Sequence, residues 1–404
     1  MSRRLLLTLA FTVAFACPAC VGKDSATEPG PDADAAGEAQ DSGMSDPSDG
    51  GRVDDGGASL DAAGFADGRS SADAGERTDG ADASDLGAID ARVLADASLD
   101  GPVVTITPGA VWNDTRGGAI AAYSESIIKV GDTYYWLGED TDAAPFQSVR
   151  CYSSPDLLNW SFVSDVLTHQ ASGDLGPNRI VERPHVIYNA STRQYVMWMH
   201  IDNGSYSDRR AGVATCDSVC GQYTYQGGSK PLGHDSLDDN LFQDGTKAYF
   251  LSEDRTDSVL QIYSLSDDYL TVTGGVASVA HHEAPAMMKA GGTYYIFGSY
   301  LTGWAPNDNQ YSTASSVAGP WASWKAFAPV GSNTCASQTT SILQVVGSVE
   351  TTYIYLGDRW NSNLLPDTRY IWLPLTISGT SVSMTCDKSW SINVSTGVIV
   401  SQSQ

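Results

Sequence analysis

A five-bladed β-propeller preceded by a disordered tether is the all-β architecture that this chain of 404 residues predicts, and three observations point to it. A short loop followed by a tyrosine-rich strand returns five times after residue 100. It reads VGDTYYWLGE ending at Glu139, TRQYVMWMH at His200, DGTKAYFLSE at Glu253, GGTYYIFGS at Ser299 and TTYIYLGDR at Arg359. Units of roughly 50 to 60 residues cannot bury their own apolar faces, so they must stack around an axis. Each repeat is followed by a second alternating segment rich in turn residues, such as RCYSSPDLLNWSFV or IWLPLTISGTSVSM, as antiparallel strands joined by tight hairpins require. No segment beyond residue 100 sustains helical periodicity. A two-sheet sandwich would share the alternation but not the regular spacing.

Taken from the N-terminus, MSRRLLLTLAFTVAFACPAC has a basic start, a short apolar run and small residues before a cysteine. Residues 1–20 therefore read as an export signal of lipoprotein type. Cys17 and Cys20 are the candidate anchor positions, although neither follows an ideal lipobox, and an ordinary signal peptide cut nearby is the alternative. Residues 21–100 are mostly Asp, Ala, Gly and Ser. Such a segment cannot bury enough apolar surface to offset its chain entropy and is expected to be an extended linker. The formal net charge of −25 lies largely there, and the scarcity of clustered Lys and Arg excludes nucleic acid as a partner. Residues 101–404 form the expected propeller domain, and a monomer is expected.

Within that domain, first strands gather around a central funnel, so polar residues at their starts should converge. Four stretches stand out: ERPHVIYN from Glu182, SLDDNLF with Asp238 and Asp239, HHEAPAMM with Glu283, and ASQTT with Gln338. Pro184 and Pro285 follow two of the glutamates and suit a strand start at an edge or bulge. An acidic residue leading into an apolar strand is costly unless something uses it. Taken singly, each is as well explained as a loop cap or an arginine partner, and Arg183 stands beside Glu182. Glycan chemistry, however, asks for several carboxyl groups around one pocket. Trp304 and Trp360 could stack on a sugar face. His281 and His282 read as hydrogen-bonding loop residues.

Of seven cysteines, the five in the domain should pair where geometry allows in an exported protein. Cys216 with Cys220 is the expected first pair and Cys335 with Cys386 the second, leaving Cys151 as a buried small hydrophobe. Histidine–cysteine spacing for zinc is absent, so no metal or other cofactor is expected, with a structural calcium ion left open.

The blocks WNDTRGG, YYWLGED, SSPDLLNW, ERPHVIYN, YVMWMH, EAPAMM, GGTYYIFGSYLTGWAPN, AGPW, GDRW and WLPL resemble glycoside hydrolase family 43, in its subgroup of exo-β-1,3-galactanases, from about residue 105 to 375. The resemblance implies an inverting hydrolase acting on β-1,3-galactan of arabinogalactan-type polysaccharide. It implies Glu283 as general acid, Asp238 as the carboxylate tuning it, Glu182 as needed for binding and turnover, and Gln338 as the group that positions water. Glu139, Asp239, Tyr206, Thr302, Gly303, Trp304 and Trp360 are the implied substrate contacts. One departure is that AYSESI stands where the subgroup has AHGGGI, so Glu125 lies one position from the usual family base and is a further catalytic candidate, unless strand alternation turns it away. An arabinofuranosidase or xylosidase of the same family, or a surface lipoprotein that binds glycan without turnover, are the alternatives.

Overall fold

The computed structural model describes residues 101–140 and 146–403. The expected signal segment and linker, with Cys17 and Cys20, lie outside the described residues. Apart from short turns, the regular structure is β throughout. A first strand, β1 (Val103–Ile106), precedes five four-stranded antiparallel sheets, each a meander in chain order. Sheet I holds β2 (Tyr123–Val130), β3 (Thr133–Glu139), β4 (Ser148–Ser154) and β5 (Ser161–Thr168). Sheet II holds β6 (Arg179–Asn189), β7 (Gln194–Asn203), β8 (Arg210–Cys216) and β9 (Thr224–Ser229). Sheet III runs from β10 (Asp239–Asp244) through β11 (Lys247–Asp254) and β12 (Val259–Leu265) to β13 (Val272–Ala280). Sheet IV comprises β14 (Glu283–Ala290), β15 (Thr293–Ser299), β16 (Gln310–Ala314) and β17 (Lys325–Ala326). Sheet V comprises β18 (Gln338–Val346), β19 (Thr351–Arg359), β20 (Arg369–Ser378) and β21 (Ser381–Ser383). The five tyrosine-rich repeats are the second strands of these sheets. Beyond the expected five units, β22 (Ser389–Asn393) pairs with β1 and with β23 (Ile399–Ser403) in a sixth, three-stranded sheet.

Apolar clusters fill the spaces between successive sheets. Leu137, Val149 and Val166 of sheet I meet Val186, Met197 and Met199 of sheet II; Trp198 and Val213 meet Phe250 and Tyr263 of sheet III; Leu251 and Ile262 meet Met287 and Ile296 of sheet IV. The largest cluster joins Phe297 and Tyr311 of sheet IV to Tyr355 and Trp372 of sheet V, to Trp136 and Tyr152 of sheet I, and to Trp390 of β22. First strands are neighbours in the order β2, β6, β10, β14, β18, and β18 in turn lies against β2.

Cys335 pairs with Cys386 as expected, but Cys220 pairs with Cys151 and not with Cys216, which is free. The reason is the course of the β8–β9 loop. The Cys220 carbonyl accepts from Ser164 and the Tyr223 amide donates to Val166, which lays the loop on sheet I, where Cys151 is buried.

Four first strands carry one extra residue where they begin. Pairing skips between Tyr123 and Ser126, Glu182 and His185, Glu283 and Ala286, and Thr339 and Ser341. Ser124, Arg183 and Ala284 take positive φ there, of 55°, 51° and 54°. Such bulges re-aim side chains, and the facing strand must leave room. Gly138 faces the first bulge, where a Cβ would lie 2.2 Å from the Ala122 carbonyl; at Gly298 it would lie 2.8 Å from the His282 Cβ.

Candidate active site

The bulged strand starts open into one cavity of about 260 Å³. Glu139, Glu182, Tyr206, Asp238, Glu283, Gly303, Trp304, Gln338 and Trp360 all line it, as do Ser124, Arg183, His200, Glu253 and Arg255. Residues from all five sheets or the loops after them therefore converge, although they span more than two hundred positions in sequence.

Arg183 is the hub. Its Nε lies 2.8 Å from Asp238 Oδ1, Nη2 donates to Gln338 Oε1 at 3.0 Å and Nη1 donates to the Thr339 carbonyl at 3.3 Å. Adjacent to Glu182 in sequence, it is ion-paired to Asp238, because the positive φ at the bulge turns it away from its neighbour. Trp360 Nε1 also donates to Gln338 Oε1, at 2.9 Å. Both neighbours of that oxygen can only donate, which orients the amide. Gln338 Nε2 then donates to Glu283 Oε1 at 3.1 Å and to Ser299 Oγ at 3.2 Å.

Glu283 is almost fully buried. Its Oε1 also accepts from the amides of Thr302 (3.1 Å) and Gly303 (2.9 Å), and Arg255 Nη2 stands 3.5 Å from Oε2. Acidic oxygens of Asp238, Glu253 and Glu283 lie within 4.8 Å of one another. Burial first, then the charges of Asp238 and Glu253, raise the Glu283 carboxyl to about 8 despite those donors. It therefore holds a proton at neutral pH, as a general acid must. Burial and Asp238 likewise raise Glu253 to about 7, against the pull of Arg255, which bonds it at 2.7 Å.

On the opposite wall, Glu182 accepts from the Tyr206 hydroxyl at 2.6 Å and from His200 Nδ1 at 3.2 Å. His200 Nε2 in turn donates to the buried Asp202 at 2.9 Å. Burial opposes charge on this imidazole, but the two carboxylates outweigh it and raise it to about 10. Ser124 Oγ donates to Glu139 at 3.2 Å, and burial, with the nearby Glu182, pushes Glu139 well above the usual carboxylate range. Trp304 and Trp360 meet edge to face at the rim, with centroids 4.9 Å apart.

Three expected site residues lie outside the cavity lining. Glu125 is fully buried and accepts from Thr340 and from Trp372 Nε1; as the residue next to Ser124 in the strand it is turned to the opposite side from the cavity. Asp239 points to the opposite side from Asp238 for the same reason, and neither of its buried oxygens has a hydrogen-bond partner among the described residues. Thr302 contributes its amide to Glu283 rather than a wall. His282 stacks on Trp324 at 3.9 Å, and His281 Nε2 stands 3.4 Å from Glu253. Sequence reasoning missed His200, Glu253 and Arg255 as site residues. The signal was present: the repeats end at Glu139, His200, Glu253 and Ser299, and each of these reaches the cavity or its Gln338 from the end of a second strand.

The model of glycosyl hydrolases family 43 matches residues 121–347. Among solved structures, an exo-β-1,3-galactanase from Phanerochaete chrysosporium with β-1,3-galactotriose is similar at 40% identity, over 73% of this chain and 70% of that chain, with a TM-score of 0.70. An exo-β-1,3-galactanase from Clostridium thermocellum is similar at 36% identity, over 73% of this chain and 68% of that chain, with a TM-score of 0.70. Among curated proteins none matches.

Proposed function

Because this chain belongs to family 43 of the glycosyl hydrolases, we propose that it cleaves β-1,3-galactan from the chain end, with inversion, releasing galactose. The five meanders, with first strands neighbouring in a ring, are the blades of a five-bladed propeller on this reading, and the cavity is its funnel. The observation that carries the function is Glu283, a buried carboxyl raised to about 8 beside two further carboxylates, in a chain 40% identical to a galactanase.

Asp238 keeps the Glu283 proton in place until it passes to the glycosidic oxygen as the C1–O bond breaks, and Gln338 positions the attacking water, whose oxygen bonds to C1 while its released proton passes to solvent. Glu182 and Glu139 bind sugar hydroxyls, with Tyr206 steering Glu182, and Trp304 with Trp360 offers an apolar face. Inversion asks for about 6.5–9.5 Å between the acid and the group that activates water. The contact of 3.1 Å between Gln338 and Glu283 is therefore a resting contact that substrate parts. The chain is exported and monomeric on this reading, held to the envelope through Cys17 or Cys20 and the segment 21–100, and its polymer is arabinogalactan-type polysaccharide.

Incubation with debranched β-1,3-galactan tests the proposal. Galactose from the first time points, without intermediate oligomers, is the expected product. Release from arabinofuranosides or xylosides alone would discard the substrate, and glycan binding by calorimetry without product would favour a binding lipoprotein.

A further inference from the structure

The segment that delivers Gln338 is held in a conformation that its residues do not choose alone. Asn333, Thr334, Cys335 and Ala336 have φ of 50°, 53°, 58° and 56° in succession. None is glycine, and the left-handed region is unfavourable for L-residues, which visit it singly rather than in runs. Such a run persists only where surrounding contacts over-determine it. Here Asp308 accepts from the amides of Gly331 and Asn333, and Asn309 N donates to Thr334 Oγ1. On the other side Arg359 Nη2 donates to the Cys335 carbonyl at 2.8 Å and Nε to the Ala336 carbonyl at 3.1 Å. Cys335 is also bonded to Cys386. Arg359 is followed by Trp360, whose indole holds Gln338 Oε1, so one strand end grips both the backbone before Gln338 and its amide.

We propose that Arg359 and the Cys335–Cys386 disulfide are positioning groups for the hydrolytic water: they hold the left-handed turn that aims Gln338 while substrate parts Gln338 from Glu283. The inference rests on the reading of Gln338 as the group that positions water. Without these ties the turn relaxes toward favoured dihedrals and the amide leaves its place, while the sugar-binding wall of Glu182, Tyr206 and Glu139 is untouched.

The experiment compares the wild type with Gln338→Ala, Arg359→Met and the Cys335→Ser, Cys386→Ser pair on β-1,3-galactan, with and without azide. Azide can replace a misplaced water: its nitrogen bonds to C1 as the C1–O bond breaks and the glycosidic oxygen takes the Glu283 proton, giving galactosyl azide. The expected result is a kcat at least about tenfold lower in all three variants, KM within about twofold of wild type, and galactosyl azide formed by the variants but not by the wild type. Arg359→Met keeps both disulfides and decides the matter if the cysteine pair does not fold. Wild-type kcat in Arg359→Met, or a loss without galactosyl azide, alongside an impaired Gln338→Ala that forms it, overturns the inference alone. A Gln338→Ala variant with full turnover overturns the role of Gln338 and the inference with it.

Discussion

Glu253 stands one residue before the end of the second strand of sheet III and Glu283 opens the first strand of sheet IV, yet their carboxylates share one cavity with Asp238. After burial, Asp238 raises the acid Glu283 most, even though Arg183 pairs with it, and Glu253, buried and paired with a more exposed arginine, adds to it. The negative charge of Glu253 favours the protonated form of Glu283. Glu253→Gln removes that charge, so the carboxyl of Glu283 loses its proton more readily. The alkaline limb of the kcat/KM profile, set near pH 8 by Glu283, should move to lower pH; an unmoved limb would show that Glu253 does not act on the acid. That Glu182, Asp238, Glu283 and Gln338 reach one cavity was legible in sequence, because each stands in or just before the opening of an apolar first strand. Arg183 was visible only as the neighbour of Glu182, since only the left-handed bulge reveals that its guanidinium faces Asp238 and Gln338.

At the scale of the element, the bulges and their facing glycines set the mouth of the cavity. A Cβ at position 138 would overlap the Ala122 carbonyl, and a backbone atom cannot swing aside as a flexible side chain can. Gly138→Ala should therefore cost about 3 kcal/mol in chemical denaturation, at the top of the usual range for overpacking, and reduce turnover by displacing Ser124 and Glu139. Wild-type stability would show that the bulge is freely adjustable. The strands themselves were readable from alternation and tyrosine repeats, and the bulges were hinted at only by Pro184 and Pro285. Of the disulfides, Cys335–Cys386 was readable but the partner of Cys220 was not, because the choice of Cys151 over Cys216 depends on where the β8–β9 loop lies on the neighbouring sheet. The sixth sheet escaped notice because β1 and β22 lie nearly three hundred residues apart and neither carries the repeat.

For the whole molecule, the cavity gathers groups whose folded-state proton affinities are raised. Glu283 and Glu253 rise from 4.5 to about 8 and about 7, and His200 from 6.5 to about 10. A raised group contributes stability that is present below its unfolded pKa and is lost as pH rises through its folded value. The denaturation midpoint should therefore fall between about pH 6.5 and pH 10; below that range the buried His185, lowered to about 3, acts in the opposite sense. Asp208, lowered to about 2 by its arginine partners, acts in the opposite sense only in acid, as pH falls below about 4. A midpoint that rises from pH 6.5 to 9 would contradict this arrangement of protons. The same protons are what the proposed chemistry uses, and one comparison tests that most directly: hydrolysis of β-1,3-galactan and of an aryl β-galactoside with a good leaving group, by wild type and Glu283→Gln. The account predicts a loss of about 10²–10⁴-fold on galactan and a much smaller loss on the aryl substrate, whose leaving group needs little protonation. Equal losses on both substrates would contradict Glu283 as the general acid.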